Sequence, residues 1–288
     1  MMKYVFFQGC TTPQKENAYE LSMRKVAAKL DIELVALEEQ NCCGFFVDPV
    51  DHLSATVMAA RDLALFDASG LNAVTPCPAC YGQLNRVKKE LLTNKKLYDQ
   101  VNSILKRINR KFTGTSEIKH FMNVLIDEVG MEKIKASIVK PLTNLKVAPH
   151  YGCHILKPSY EINTDNPEDP QLLDSLIALT GAKVVDYGEK KLCCGQSAGG
   201  VDEELSLNLG KAKLKSIKKA GADAMVTVCP ACHMQFDLVA GAKLRDLAIP
   251  VLHYTQLLGL AQGLSPNELG LGENRVSTDN VVEMIGAT

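Results

Sequence analysis

The sequence predicts an α/β protein of two tandem duplicated domains, each a mostly parallel sheet flanked by helices, the pair related by a pseudo-twofold axis. Three observations predict it. Short apolar runs alternate with longer helical patterns along the chain, as strands and crossover helices do in a parallel sheet. All ten cysteines fall into two sets with the same internal order. The residues around those cysteines repeat as well, so one unit of roughly 140 residues occurs twice.

Taken in order, 3–7 is a short apolar run and reads as a strand, followed by a turn and a helical pattern over 17–30. Residues 32–37 are strand-like, and 53–69 have apolar residues at helical spacing, with Leu53, Val57, Ala60, Leu63 and Leu65 on the periodic positions. A short strand over 73–75 leads into Cys77, and a long polar helix is expected over 81–108. The second half repeats the alternation: strands over 146–150, 183–187, 223–228 and 249–253, and helices over 170–180, 202–219 and 232–244. The boundary falls near 141–145, giving domains of 1–144 and 145–288.

Composition narrows the function. The chain is 46% hydrophobic and 23% charged with a net charge of -1, an ordinary globular profile with no field favouring nucleic acid or an anionic membrane surface. No apolar run approaches the roughly 18–20 residues of a membrane-spanning helix. The first residues make a poor signal peptide, so a cytoplasmic location is expected. A chain of this size builds its own core and does not depend on disulfides, so its cysteines point to metal or redox chemistry.

The first set is Cys10, Cys42, Cys43, Cys77 and Cys80; the second is Cys153, Cys193, Cys194, Cys229 and Cys232. Each runs as a single Cys, a Cys-Cys-Gly and a Cys-Pro-Ala-Cys, separated by 31 and 33 residues in the first set and 39 and 34 in the second. Phe7-Gln8-Gly9-Cys10 answers His150-Tyr151-Gly152-Cys153, and Val74-Thr75-Pro76-Cys77 answers Val226-Thr227-Val228-Cys229. Cys10, Cys77, Cys153 and Cys229 each follow the end of an expected strand, the edge where open parallel sheets bind ligands. Pro78 and Pro230 stand at expected helix starts, whose free N–H groups and dipole favour a thiolate. Gly44 and Gly195 let the backbone reach positive φ beside bulky ligands.

Any one cysteine can be a buried core residue, but a core role does not explain five recurring in one order. Structural zinc takes four ligands, and so do most cubane iron–sulfur clusters. A fifth thiol implies an unusual cluster, or four ligands with one cysteine in another role. Thiolate-only ligation favours iron–sulfur over zinc.

These residues resemble the CCG-domain (cysteine-rich domain) family, and within it the B-type subunits of the CoB–CoM heterodisulfide reductases of methanogenic archaea. The resemblance rests on both cysteine sets, on His253-Tyr254-Thr255-Gln256-Leu257-Leu258 and on Ser265-Pro266-Asn267-Glu268-Leu269-Gly270-Leu271, and covers nearly the whole chain. It implies that Cys10, Cys42, Cys43, Cys77 and Cys80 hold one non-cubane [4Fe-4S] cluster and that Cys153, Cys193, Cys194, Cys229 and Cys232 hold another. It implies a disulfide oxidoreductase of methanogenesis, whose catalytic subunit reduces the CoM-S-S-CoB disulfide to two thiols between the clusters. It also implies two heterodisulfide reductase partners: a C-type subunit with ferredoxin-like cubane clusters, and a flavin-containing A-type subunit. A separate carrier is needed because this chain lacks a close-spaced ferredoxin run. Alternatives are a cluster-bearing electron-transfer subunit of a sulfur-metabolism or succinate, glycolate or lactate oxidoreductase, and a zinc-stabilised scaffold.

Further residues are weighed on their placement. His154 and His233 each follow a cysteine and are candidate proton donors, against an alternative role orienting cluster sulfur. His120 and His253 occupy matching places in the two halves and read as core or inter-domain histidines. Lys157, Lys190 and Lys191 near the second set are candidates for binding substrate anions, against plain solvation. Lys88, Lys89, Lys95, Lys96, Lys106 and Arg107 mark either a solvated helix face or a docking surface.

Overall fold

The computed structural model describes residues 1–162 and 164–286. It contains two four-stranded, all-parallel sheets of identical strand order. The first is β2-β1-β3-β4, from β1 (Met2–Phe6), β2 (Ile32–Val35), β3 (Ala73–Thr75) and β4 (Ile118–His120). The second is β6-β5-β7-β8, from β5 (Lys146–His150), β6 (Lys183–Val184), β7 (Ala224–Thr227) and β8 (Val251–His253). The duplication expected from the cysteine pattern is therefore present in the topology.

Strand order positions the site. In each sheet the first strand has the second on one side and the third on the other, so the order in which parallel strands are added reverses at the first strand. That switch point opens a crevice at the carboxyl ends of the strands. Cys10 and Cys77 leave β1 and β3 at this edge, and Cys153 and Cys229 leave β5 and β7.

Helices cover the sheets: α1 (Asn17–Lys29), α2 (His52–Ser69), α3 (Pro78–Thr93) and α4 (Lys95–Leu105) in the first lobe. The second has α5 (Leu172–Leu179), α6 (Glu203–Lys219), α7 (Pro230–Met234) and α8 (Tyr254–Ala261). Asp51 and Asp202 cap α2 and α6 identically, each side chain accepting from the backbone N–H three residues on. Pro78 and Pro230 open α3 and α7, where a missing N–H costs nothing.

Two helical expectations need correction. The long helix over 81–108 is two helices, broken at Asn94, whose extended backbone lets its side chain accept from Leu97 N and cap α4. A local cap offered by Asn outweighed the unbroken helical periodicity. The helix over 232–244 is α7 followed by a wider-wound segment, Gln235–Ala240. Apolar spacing does not distinguish the two windings.

The lobes share a core. One apolar cluster runs from Tyr4, Phe6 and Met23 of the first lobe to Leu257, Leu258 and Leu260 of the second. Polar contacts bridge the same seam: Ser22 Oγ lies 2.7 Å from Thr255 Oγ1, and Tyr19 Oη 2.7 Å from Thr227 Oγ1. Tyr19 stacks on His253 at 3.5 Å between ring centroids. His120 and His253 are fully buried. His120 Nδ1 accepts from Met122 N, so Nε2 carries the proton donated to Pro76 O, the carbonyl before Cys77.

Candidate metal centre

All ten cysteines are free thiols, and they lie in one continuous string. In the first lobe Cys10 meets Cys42, Cys42 meets Cys43, Cys43 meets Cys80, and Cys80 meets Cys77. In the second, Cys153 Sγ lies 3.6 Å from Cys193 Sγ, Cys193 meets Cys194, Cys194 meets Cys232, and Cys232 meets Cys229. The two strings join where Cys77 meets Cys229. Cys43, Cys77, Cys80, Cys194, Cys229 and Cys232 are buried, while Cys10, Cys42, Cys153 and Cys193 are half-buried.

Local backbone makes the gathering possible. Gly9 and Gly152 adopt positive φ and bring each turn against the last cysteine of its set. A Cβ would stand 2.9 Å from Cys80 Sγ at Gly9 and 3.4 Å from Cys232 Sγ at Gly152. Gly44 and Gly195 seat each Cys-Cys-Gly on the helix behind it. A Cβ there would lie 2.7 Å from Ala55 O and 2.5 Å from Ser206 O.

The electrostatics of this string fit a metal. Only Cys43, Cys77 and Cys193 are shifted down: hydrogen bonds from Cys42 and Cys80 lower Cys43, those from Cys229 and Cys80 lower Cys77, and those from Cys153 and Cys194 lower Cys193. The remaining seven are shifted up by thiol neighbours and burial. Thiolates in contact in a low-dielectric interior repel one another, so few can ionise unaided. A bound cation removes that limit, and the donors are soft thiolates in reach of one another. The first five line one pocket with Phe45 and Phe46, closed by Pro230 and Ala231 of the other lobe. The first set is thus enclosed partly by the second lobe.

His154 sits at the junction. It is half-buried, packs edge-on against Phe45 of the first lobe at 4.6 Å, and feels both Cys77 and Cys193. Burial lowers its pKa and the thiolates oppose that. His233 is engaged elsewhere: Nε2 lies 3.0 Å from Val251 O and Nδ1 2.8 Å from Glu16 Oε2 across the lobe seam. Burial disfavours its charge, but Glu16 outweighs it and raises the pKa. Lys190 donates to Asp174 at 2.7 Å and to Pro170 O, and Lys191 pairs with Glu168 at 3.0 Å. Lys157 is exposed beside the second set. Lys88 and Lys89 line a surface groove with Asp127, Glu128 and Glu161, so that face carries both signs of charge.

Sequence reasoning singled out neither the buried seam residues Glu16 and Tyr19 nor a buried lysine, Lys213, on α6. Lys213 donates to the carbonyls of Glu189 and Lys190, on the loop entering Cys193, and burial lowers its pKa to about 8. His150 was visible as the residue answering Phe7, yet nothing in its spacing marked it. It is buried at the end of β5, a ring nitrogen standing within 4.8 Å of Cys194 and Cys232 Sγ.

Comparison with known proteins decides the family. The model of the CCG cysteine-rich domain matches residues 4–85 and 147–237, one match per lobe, each spanning a complete cysteine set. The chain belongs to the CCG cysteine-rich-domain family. Among its relatives, the B-type subunit of a ferredoxin/F420H2-dependent CoB–CoM heterodisulfide reductase of Methanosarcina acetivorans is 41% identical over 96% of this chain and 94% of its own length. The membrane anchor subunit of an 8-methylmenaquinol:fumarate reductase of Wolinella succinogenes, also similar to this CCG protein, is 36% identical over 94% of this chain and 96% of its own. Among solved structures, a hypothetical protein from Helicobacter pylori superposes with a TM-score of 0.74 at 16% identity, covering 96% of this chain and 52% of that one. That likeness speaks to fold alone. Among the described residues, no helix is long and apolar enough to cross a membrane.

Proposed function

We propose that this chain is the catalytic B-type subunit of a heterodisulfide reductase, with one non-cubane [4Fe-4S] cluster per lobe and the CoM-S-S-CoB disulfide reduced to two thiols between them. The observation that carries this is the single string of ten thiols, two sets of five meeting at Cys77 and Cys229. In this reading the lobes are 1–144 and 145–288, and each set of five is the ligand set of one cluster.

When bound, the clusters supply one-electron equivalents and soft iron for sulfur. The protein supplies the rest. Disulfide reduction consumes two electrons and two protons, and His154, beside Cys77 and Cys193, is placed to hold a proton where the two sets meet. His233, held by Val251 O and ion-paired with Glu16, fixes α7 against the first lobe and so positions Cys232. Of the three lysines, exposed Lys157 is the most available for a substrate anion, since Lys190 and Lys191 are already ion-paired. Electrons arrive from the C-type partner, whose cubane clusters complete the path from the flavin-containing A-type partner. In this reading the assembly works in the cytoplasm, in methanogenesis.

A second reading has support of its own. The 36% identity to the anchor protein of a fumarate reductase admits a chain that passes electrons without meeting a disulfide. Anaerobically purified protein, reduced and then given the oxidised coenzyme disulfide, separates the two. A new paramagnetic signal on adding the disulfide supports the first reading; an unchanged spectrum favours the second. A colourless protein carrying zinc and no iron overturns both.

A further inference from the structure

The two lobes repeat each other so closely that their differences stand out, and two concern buried groups beside the cysteines. Phe7 and His150 occupy the same place, three residues before the first cysteine of each set. Phe7 is apolar and packs edge-on against Phe66 at 5.7 Å. His150 is 1% exposed, and neither ring nitrogen has a hydrogen-bond partner. A ring nitrogen lies within 4.8 Å of the Sγ atoms of Cys194 and Cys232.

The second difference is one of charge. Gly44 sits on Ala55 of α2 as Gly195 sits on Ser206 of α6. This pairs Asp62 with Lys213, the same number of residues further along each helix. Both are 0% exposed. Each ties down the loop entering its own Cys-Cys-Gly, with opposite polarity: Asp62 accepts from Asn41 N at 2.9 Å, whereas Lys213 donates to Lys190 O at 3.1 Å and to Glu189 O. A tether explains a buried polar group here, but either sign would serve. The charge of Lys213 is felt by Cys232, Cys194, Cys153 and Cys193, all of the second set.

We propose that the second set holds the more readily reduced cluster, because His150 and Lys213 stand where the first lobe has Phe7 and Asp62. This rests on the reading that each set of five binds an iron–sulfur cluster. Reduction adds negative charge to a thiolate-bound centre in a low-dielectric interior. A nearby cation and a polar imidazole beside ligand sulfur both stabilise that charge; a phenyl ring and a buried acid do not. His150 is a positioning and tuning residue, acting on the centre through ligand sulfur. Electrons arriving singly therefore populate the second lobe first.

Potentiometric EPR titration of the full-length, iron- and sulfide-loaded chain tests this. Two midpoints are expected. His150→Phe should move the upper one down by at least tenfold in the reduction equilibrium, about 59 mV for one electron, and leave the lower in place. His150→Gln, which keeps a side-chain N–H, should largely restore it, and Phe7→His should raise the lower midpoint. A shared midpoint, or His150→Phe moving only the lower one or neither, overturns the proposal. Should His150→Phe lose its iron, Phe7→His decides alone, and an unmoved lower midpoint overturns it. Wild-type protein without iron overturns the cluster reading itself and this inference with it, an outcome distinct from two clusters in the wrong order.

Discussion

Replacing Gly195 with alanine should unfold the second metal centre, and Gly70→Ala supplies the calibration. Both glycines sit in the left-handed region, Gly195 at φ +93° and Gly70 at φ +69°. At Gly70 nothing lies within 4 Å of a new Cβ, so alanine costs only backbone strain, about 1–2 kcal/mol. At Gly195 the new Cβ would stand 2.5 Å from Ser206 O and 3.1 Å from Ser206 Cα. Neither contact ends in a flexible side chain, so the Cys-Cys-Gly turn must move off α6. Overpacking of this kind adds roughly 1–3 kcal/mol, bringing the total to about 2–5 kcal/mol. Native stabilities are about 5–15 kcal/mol, so this is a large fraction of the whole. A melting point lowered by about 2–4 °C per kcal/mol is the first readout. Iron content is the second, since Cys193 and Cys194 are carried on the displaced turn. Gly70→Ala should lose a few degrees and no metal, and Gly195→Ala roughly twice as much together with half its iron. If the two variants melt alike and both keep full metal, the reasoning about close backbone approach is wrong.

Other consequences follow from buried charge and the lobe seam. Burial raises Asp62 from 3.8 to about 8. The folded state then holds a proton the unfolded state has lost, so this residue makes stability fall as pH rises between about 4 and 8. Asp62→Asn should flatten that slope and be relatively most stabilising near pH 8, by up to roughly 6 kcal/mol; denaturant melts at pH 5 and pH 8 measure it. Tyr19→Ala, which removes a fully buried ring stacked on His253, should cost about 3–5 kcal/mol. Tyr19→Phe loses only the Thr227 contact, about 1 kcal/mol; thermal unfolding distinguishes them. His154→Gln should keep its iron while disulfide-reducing turnover falls about 10²–10⁴-fold and its pH profile changes; loss of iron would instead make His154 structural.

Much of this was legible in the sequence because it is carried by repetition. Two cysteine sets with matching neighbours revealed the duplication and the strand-end placement, and the two sheets share one strand order. Local competition was harder to read: Asn94 ends a helix whose apolar periodicity continues past it. The seam was half legible: His253 read as a core or inter-domain histidine, but Glu16 and Tyr19, which meet His233 and His253 from more than two hundred residues away, belong to no motif. Lys213 was hidden for a related reason: on a helix rich in lysines, sequence does not tell the buried one from the solvated ones.

Metal gathered twice by thiols is the claim on which the rest depends, and chemical analysis of anaerobically purified protein tests it most directly. Two four-iron clusters predict about eight irons and eight acid-labile sulfides per chain. Cys43→Ser and Cys194→Ser should each lower iron and sulfide together by up to half, and the double variant should hold neither. Zinc in place of iron, or iron content indifferent to both substitutions, would contradict it.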